Sequence, residues 1–144
     1  MPRVNVYLTF DGNCEEAMTF YEGVFGTKID SLNRFADMPE GPDFTVLEAQ
    51  KEKIMHASLP ISEETAIMAS DAYPGMGPPL TLGTNFSLSV HTDSREQSDE
   101  IFHALAEGGT ITMPLADAFW NSYFGMVTDK FGIHWMVNFD TSAG

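Results

Sequence analysis

The sequence predicts an α+β protein made of two copies of one unit, each a strand, a helix and three further strands, and three observations carry the prediction. The first is alternation: near both ends of the chain every second residue is apolar, the period of a half-buried strand. The second is a pair of helix-periodic stretches, each opened by a capping residue and closed by glycine. The third is an internal offset of 80 to 83 residues, at which Asn5 matches Asn85, Phe20 roughly matches Phe102, and Thr27 matches Thr110.

The first strand puts Val4, Val6, Leu8 and Phe10 on one face and Asn5, Tyr7 and Thr9 on the other. Asp11-Gly12 turns the chain. Asn13 is placed to cap the following helix, with Glu16 as its capping-box partner, and Gly26 stops that helix after Phe25. Ala17, Phe20, Tyr21 and Val24 fall at helical spacing and should face a sheet. Cys14, in the first helical turn, has no basic partner nearby in sequence and reads as an inert small residue.

A strand over 28–35 leads into a Pro/Gly loop over 36–43 and a segment, 44–50, of no clear type. In the next strand Met55, Ala57 and Leu59 alternate with Ile54, His56 and Ser58, and 65–70 supply another. Residues 71–84 hold three of the eight prolines and three glycines and form a connector. The pattern then repeats. Phe86, Leu88 and Val90 alternate with Asn85, Ser87, Ser89 and His91; Asp93 or Ser94 caps a helix carrying Ile101, Phe102 and Leu105; and Gly108-Gly109 ends it. A strand at 110–113 precedes a hairpin turning at 128–132, whose last strand puts Ile133, Trp135 and Val137 on an apolar face and His134, Met136 and Asn138 on a mixed one. If two such sheets close on each other, their mixed faces line a cleft. The boundaries are module 1 at about 1–72, connector at about 71–84 and module 2 at about 85–144, within a single domain.

Seven basic against 21 acidic residues give a net charge of −14, which repels phosphate backbones and anionic lipid and argues against nucleic acid and membrane as partners. A single cysteine allows no internal disulfide, and the N-terminus enters a strand without a signal-like segment; both suit the cytoplasm.

Three stretches, YLTFDGNCEEAMTFY (7–21), HASLP from His56, and FWNSYFGMVTDKFGIHWMVN (119–138), resemble the PhnB-like branch of the vicinal oxygen chelate superfamily, which includes glyoxalase I, extradiol dioxygenases and bleomycin-resistance proteins. The resemblance spans essentially the whole chain. It implies paired βαβββ modules forming a curved mixed sheet around a cleft, with helices on the outer face, usually in a homodimer. Members of this branch are often named 3-demethylubiquinone 3-methyltransferases; the glycine-rich strand-to-helix loop and following acidic residue that seat a nucleotide-like cofactor have no counterpart in this sequence. The superfamily's catalytic members hold a divalent metal with His and Glu at positions that correspond to Asn5, to Met68 or Ala69, to Asn85 and to Met136. None of these is a histidine or carboxylate. The expectation is therefore no cofactor, the alternative being a divalent metal in a rebuilt site.

His134 is the candidate general base or hydrogen-bond donor, and His56 and His91 are expected on the same mixed faces, where the three would make a new metal site if they converged. His103 is expected on a helix surface. Phe119, Trp120, Tyr123 and Phe124, with Tyr73 and Phe35 in loops and nine methionines, supply apolar contact surface. The expected ligand site comprises Tyr7, His56, Ser87, Trp120, Tyr123, His134 and Met136, taking a small, partly apolar molecule. Two function classes follow: a metal-free small-molecule binding protein, or a lyase, isomerase or dioxygenase-type enzyme rebuilt around His56 and His134.

Overall fold

Alternating and helical periods become elements largely where the residues place them. The computed structural model describes every residue except Met1, Arg3, Asp43 and Gly144, and the side chain of Ala143. Asp43, the last residue of the predicted Pro/Gly loop, thus lies outside the described residues. The chain divides into two units, residues 1–81 and 82–144.

Unit 1 contains β1 (Val6–Phe10), α1 (Cys14–Phe25), β2 (Ser31–Arg34), β3 (Ile54–Pro60) and β4 (Ala66–Asp71), with short 3-10 turns at Phe35–Asp37 and Glu48–Gln50. Its sheet runs β1-β4-β3-β2, with β1 parallel to β4 and the other pairs antiparallel. Unit 2 repeats the plan with β5 (Leu88–His91), α2 (Arg95–Ala106), β6 (Thr110–Ala118), β7 (Ser122–Thr128) and β8 (His134–Asp140), in the order β5-β8-β7-β6, with β5 parallel to β8. The predicted duplication is therefore present in topology as well as in residue spacing.

Each helix lies on one face of its own sheet. Cys14, Ala17, Met18 and Tyr21 form the buried stripe of α1, over Leu8, Phe10, Ala57, Leu59, Ile67 and Ala69. In α2 the stripe is Ser98, Ile101, Phe102 and Leu105, over Val127, Trp135 and Val137. Each fully buried large apolar side chain stabilises by about 1.5–3 kcal/mol. Phe102 can approach so closely because β7 offers Gly125, where an added Cβ would sit 2.8 Å from its ring and 3.0 Å from the Leu115 amide nitrogen.

Several local expectations change. Asn13 occupies the N-cap position of α1 but makes no side-chain cap bond. The acceptor comes instead from β4: Asp71 Oδ1 receives the amides of Gly12 and Cys14, each at 2.9 Å, and Oδ2 receives that of Ile54 at 2.8 Å. Ser94, by contrast, caps α2 as expected, accepting from the Gln97 amide at 3.0 Å. Val4 precedes β1 and is 99% exposed, so the first buried stripe begins further along the strand. β5 starts at Leu88, leaving Asn85, Phe86 and Ser87 exposed ahead of it. β6 runs on past Pro114, which an edge strand tolerates where the register shifts, between Met113 and Ala116.

The alternation in β3 also breaks. Asn33 pairs with His56 and Arg34 with Ile54, so β3 carries one extra residue at a bulge. Ile54 and Ala57 are both buried on the helix side, and Met55 and His56 are both half-buried between them. Met55 is thereby freed from the side of the sheet that strict alternation with Ala57 and Leu59 assigns to it.

Candidate functional site

The helix-free face of each sheet is where polar and adaptable side chains collect. In unit 1 a row runs across all four strands. Thr9 pairs with Ser70, the β3–β4 register of Ala57 with Ala69 brings His56 beside Ser70, and His56 pairs with Asn33. The neighbouring row contains Tyr7, Met68, Ser58 and Ser31. Tyr7 reaches diagonally over β4: its hydroxyl lies 3.3 Å from His56 Nδ1, and the two rings are 5.8 Å apart.

Only four residues on strands β1 to β4 titrate, and two of them turn toward the helix. Arg34 pairs with Glu15 of α1 through two hydrogen bonds of 3.0 and 2.9 Å, and this pairing lowers the Glu15 pKa and raises that of Arg34. Asp71 serves the α1 N-terminus. Tyr7 and His56 are the remaining two, both on the helix-free face.

Next to this pair is a cavity of about 500 Å³ bounded entirely by unit 1. Thr9 and Ser70 form its floor with Met55, the residue that the bulge turns to this side. Phe35 and Phe44 wall it, and the connector covers it with Tyr73, Met76 and Leu80. Tyr73 lies 4.9 Å from Phe35 between ring centroids, and its hydroxyl accepts the Leu47 amide at 3.0 Å, which anchors the cover to the segment before β3. Gly75 and Gly77, with φ of 84° and 81°, give the cover its turns. Among the described residues the lining has no Lys or Arg, and the one carboxylate there, Asp71, is committed to three amides. The chemistry on offer is apolar and aromatic contact with a few hydroxyls.

Unit 2 holds the other expected site residues in a different arrangement. His134 Nε2 donates to the Gly83 carbonyl at 3.0 Å, which leaves Nδ1 to accept from the Thr128 hydroxyl at 2.9 Å. Both ring nitrogens are thus engaged in tying the end of the connector to the β7–β8 hairpin. His91 Nε2 lies 3.3 Å from Ser89 Oγ on the exposed edge strand β5, and His103 is exposed on α2. Met136 sits half-buried between Ser89 and Met126. Trp120 is 50% exposed in the β6–β7 turn, edge-on to Phe119 and Phe124. Tyr123 points the other way, donating to Asp99 of α2 at 2.6 Å under the Arg95 guanidinium, and the Asp99 bond raises its pKa. Among the described residues no three His, Cys, Asp or Glu come together as a metal-binding group. Cys14 is fully buried, and burial, with Asp71 and Glu15 nearby, pushes its thiol up to about 12.

The sequence placed Phe35 and Tyr73 in loops as apolar contact surface and did not find the cavity, whose lining includes none of the seven residues of the expected ligand site. The available signal was the apolar content of turn-rich segments: Met38, Phe44, Met76 and Leu80 sit among prolines and glycines, where polar residues are usual.

Residues 2–138 match the family model described as 3-demethylubiquinone-9 3-methyltransferase. The chain is 33% identical to protein YjdN of Escherichia coli K12 over 92% of this chain and 91% of that protein. Among solved structures it is similar to protein PA1353 from Pseudomonas aeruginosa, with 40% identity, a TM-score of 0.83, and 97% and 98% of the two chains covered. It is also similar to a putative 3-demethylubiquinone-9 3-methyltransferase, PhnB protein, from Bacillus cereus, with 29% identity, a TM-score of 0.73, and 96% and 99% covered. The fold, at 16% identity and a TM-score of 0.66 over 97% and 92% of the chains, is shared with a glyoxylase/bleomycin resistance protein/dioxygenase domain from Frankia sp. EAN1pec. No helix among the described residues is long and apolar enough to cross a membrane.

Proposed function

The chain belongs to the PhnB-like family described as 3-demethylubiquinone-9 3-methyltransferase, within the glyoxalase/bleomycin resistance/dioxygenase superfamily, and from that premise we propose that it binds a small, partly apolar molecule in the unit 1 cavity without the superfamily's usual metal. One observation carries the reading: a 500 Å³ space, within the roughly 300–1,000 Å³ range of small-molecule sites, walled by aromatic and methionine side chains and covered by a tethered connector. Methionine suits such a role because its unbranched, polarisable side chain adapts to irregular ligand shapes.

The residues at the metal positions support the second half of the proposal. Asn5 and Asn85 lie before their strands and are exposed, and Met136 offers a thioether beside Met126. Amides and a thioether do not make the nitrogen and carboxylate donor set that a hard or borderline divalent cation requires. The group does not fit, and no step is assigned to it.

The test is a neutral fluorescent probe, N-phenyl-1-naphthylamine, titrated into the wild type and Thr9→Trp. Thr9 is exposed on the floor, so the bulky replacement fills the space without disturbing the buried side of β1. Saturable binding that Thr9→Trp reduces at least tenfold is expected. Equal binding by both proteins removes the cavity as the site.

A further inference from the structure

We infer that Thr9 and Ser70 form the polar end of the unit 1 cavity, where their two hydroxyls hold one acceptor oxygen, such as that of a carbonyl, on a ligand with a flat apolar body. The inference rests on the cavity being the binding site and adds which group of the ligand is read there.

Strand alternation fixes where the two side chains point. In β1, Leu8 and Phe10 are buried on the side of α1, so Thr9 between them stands on the helix-free face. In β4, Ala69 and Asp71 are buried in the same way, and Ser70 between them faces with Thr9. The two are register partners in the parallel β1–β4 pair, and both line the cavity. Neighbouring strands run about 4.8 Å apart. A hydroxyl donor sits about 2.8 Å from its acceptor, so one oxygen with two lone pairs can receive both O–H groups.

These hydroxyls are also the ones left to a ligand. The Tyr73 hydroxyl already accepts the Leu47 amide, the Asp71 carboxylate accepts three amides, and Thr81 lies on the exposed connector rather than on the sheet. Neither Thr9 nor Ser70 has a side-chain hydrogen bond to another of the described residues. Their O–H groups therefore face water, which an apolar ligand displaces on entry. A ligand oxygen placed there replaces the lost water, whereas a hydrocarbon leaves both donors unmet and binds more weakly. Away from this pair the lining turns aromatic: Phe35 and Phe44 neighbour the Tyr73 ring, at 4.9 and 6.5 Å between centroids, a surface suited to a flat ring system.

Equilibrium dialysis with 2-acetylnaphthalene and 2-ethylnaphthalene, which are close in shape and differ in one carbonyl, tests the assignment. One hydrogen bond is worth about 1 kcal/mol, or roughly fivefold in affinity. The ketone-to-hydrocarbon preference of the wild type should therefore fall about fivefold in Thr9→Val and in Ser70→Ala, fall further in the double variant, and persist in Thr9→Ser, which keeps the hydroxyl. Binding of the hydrocarbon by every variant serves as the control for an intact cavity, since a merely structural role would weaken both compounds alike and leave the preference unmoved. An unchanged preference in the double variant, with both compounds still bound, overturns the role of the hydroxyl pair and leaves the cavity reading standing. A loss confined to one single variant overturns the shared oxygen. Failure of the wild type to bind either compound overturns both readings.

Discussion

Asp71→Asn tests how unit 1 is held together. The wild-type carboxylate accepts three amides, from Gly12 and Cys14 through Oδ1 and from Ile54 through Oδ2, and the residue is only 3% exposed. An asparagine of the same shape has one acceptor. Its better orientation keeps the carbonyl toward Gly12 and Cys14 and sets the amide NH₂ against the Ile54 N–H. Leaving that buried donor unsatisfied costs about 1–3 kcal/mol, and converting two charge-assisted bonds to neutral ones costs about 0.5–1 kcal/mol each. The expected loss is about 3 kcal/mol, a large share of a typical domain stability of about 5–15 kcal/mol. Urea unfolding followed by far-ultraviolet circular dichroism measures it, with Asp11→Asn as a control, since Asp11 is exposed and its replacement should stay within about 0.5 kcal/mol. A loss below 1 kcal/mol for Asp71→Asn would refute the idea that this carboxylate, rather than Asn13, caps α1 and joins it to β3.

Two further outcomes follow from packing and burial. Gly125→Ala brings a Cβ to 2.8 Å from the buried Phe102 ring and 3.0 Å from the Leu115 backbone, so thermal unfolding should show a loss of about 1–3 kcal/mol, and an unchanged melting temperature would mean that α2 does not rest on β7 as described. Cys14, with its thiol raised to about 12, should resist iodoacetamide at pH 8 in the native protein and react on denaturation. The sign of the linked stability is fixed: between an ordinary thiol value of 9.0 and about 12 the unfolded chain releases this proton and the folded chain keeps it, so stability falls as pH rises through that window, by up to about 1.4 kcal/mol per unit. A Cys14→Ala variant should lack this component of the alkaline slope, and an identical slope in both proteins would contradict the assignment.

Much of the fold was legible because its signals are local. The β7–β8 hairpin alternates without interruption, with Ile133, Trp135 and Val137 on the helix side, and Asp129 accepts from the Phe131 and Ile133 amides in the turn between the two strands. Both helices stop where glycine follows them, at Gly26 with φ 69° and near Gly108 with φ 75°. What escaped depends on distant partners. The acceptor for the α1 amides lies 57 residues away on β4, beyond any capping rule. The phase of β3 depends on a bulge that appears only in its pairing with β2. Tyr7 and His56 could likewise be assigned to mixed faces one strand at a time, since each assignment needs only its own strand. The cavity is lined in part by Phe35, Phe44 and the connector, segments without a periodicity from which a shared lining could be read.

The parallel pairing of first strand with last in each unit has a consequence for synthesis. β1 emerges from the ribosome early, but its hydrogen-bonding partner β4 is among the last parts of the unit to be made. At roughly 5–20 residues per second the nascent chain spends several seconds with that strand unpaired. β2 and β3 can zip by local antiparallel contact in the meantime, whereas β1 and α1 wait for a long loop to close. The same delay recurs in unit 2, where β8 completes the ladder with β5. Assembly of each unit is gated by its final strand, so a ribosome stalled anywhere before β4 carries a chain whose first strand has neither edge paired in its sheet and is open to intermolecular association.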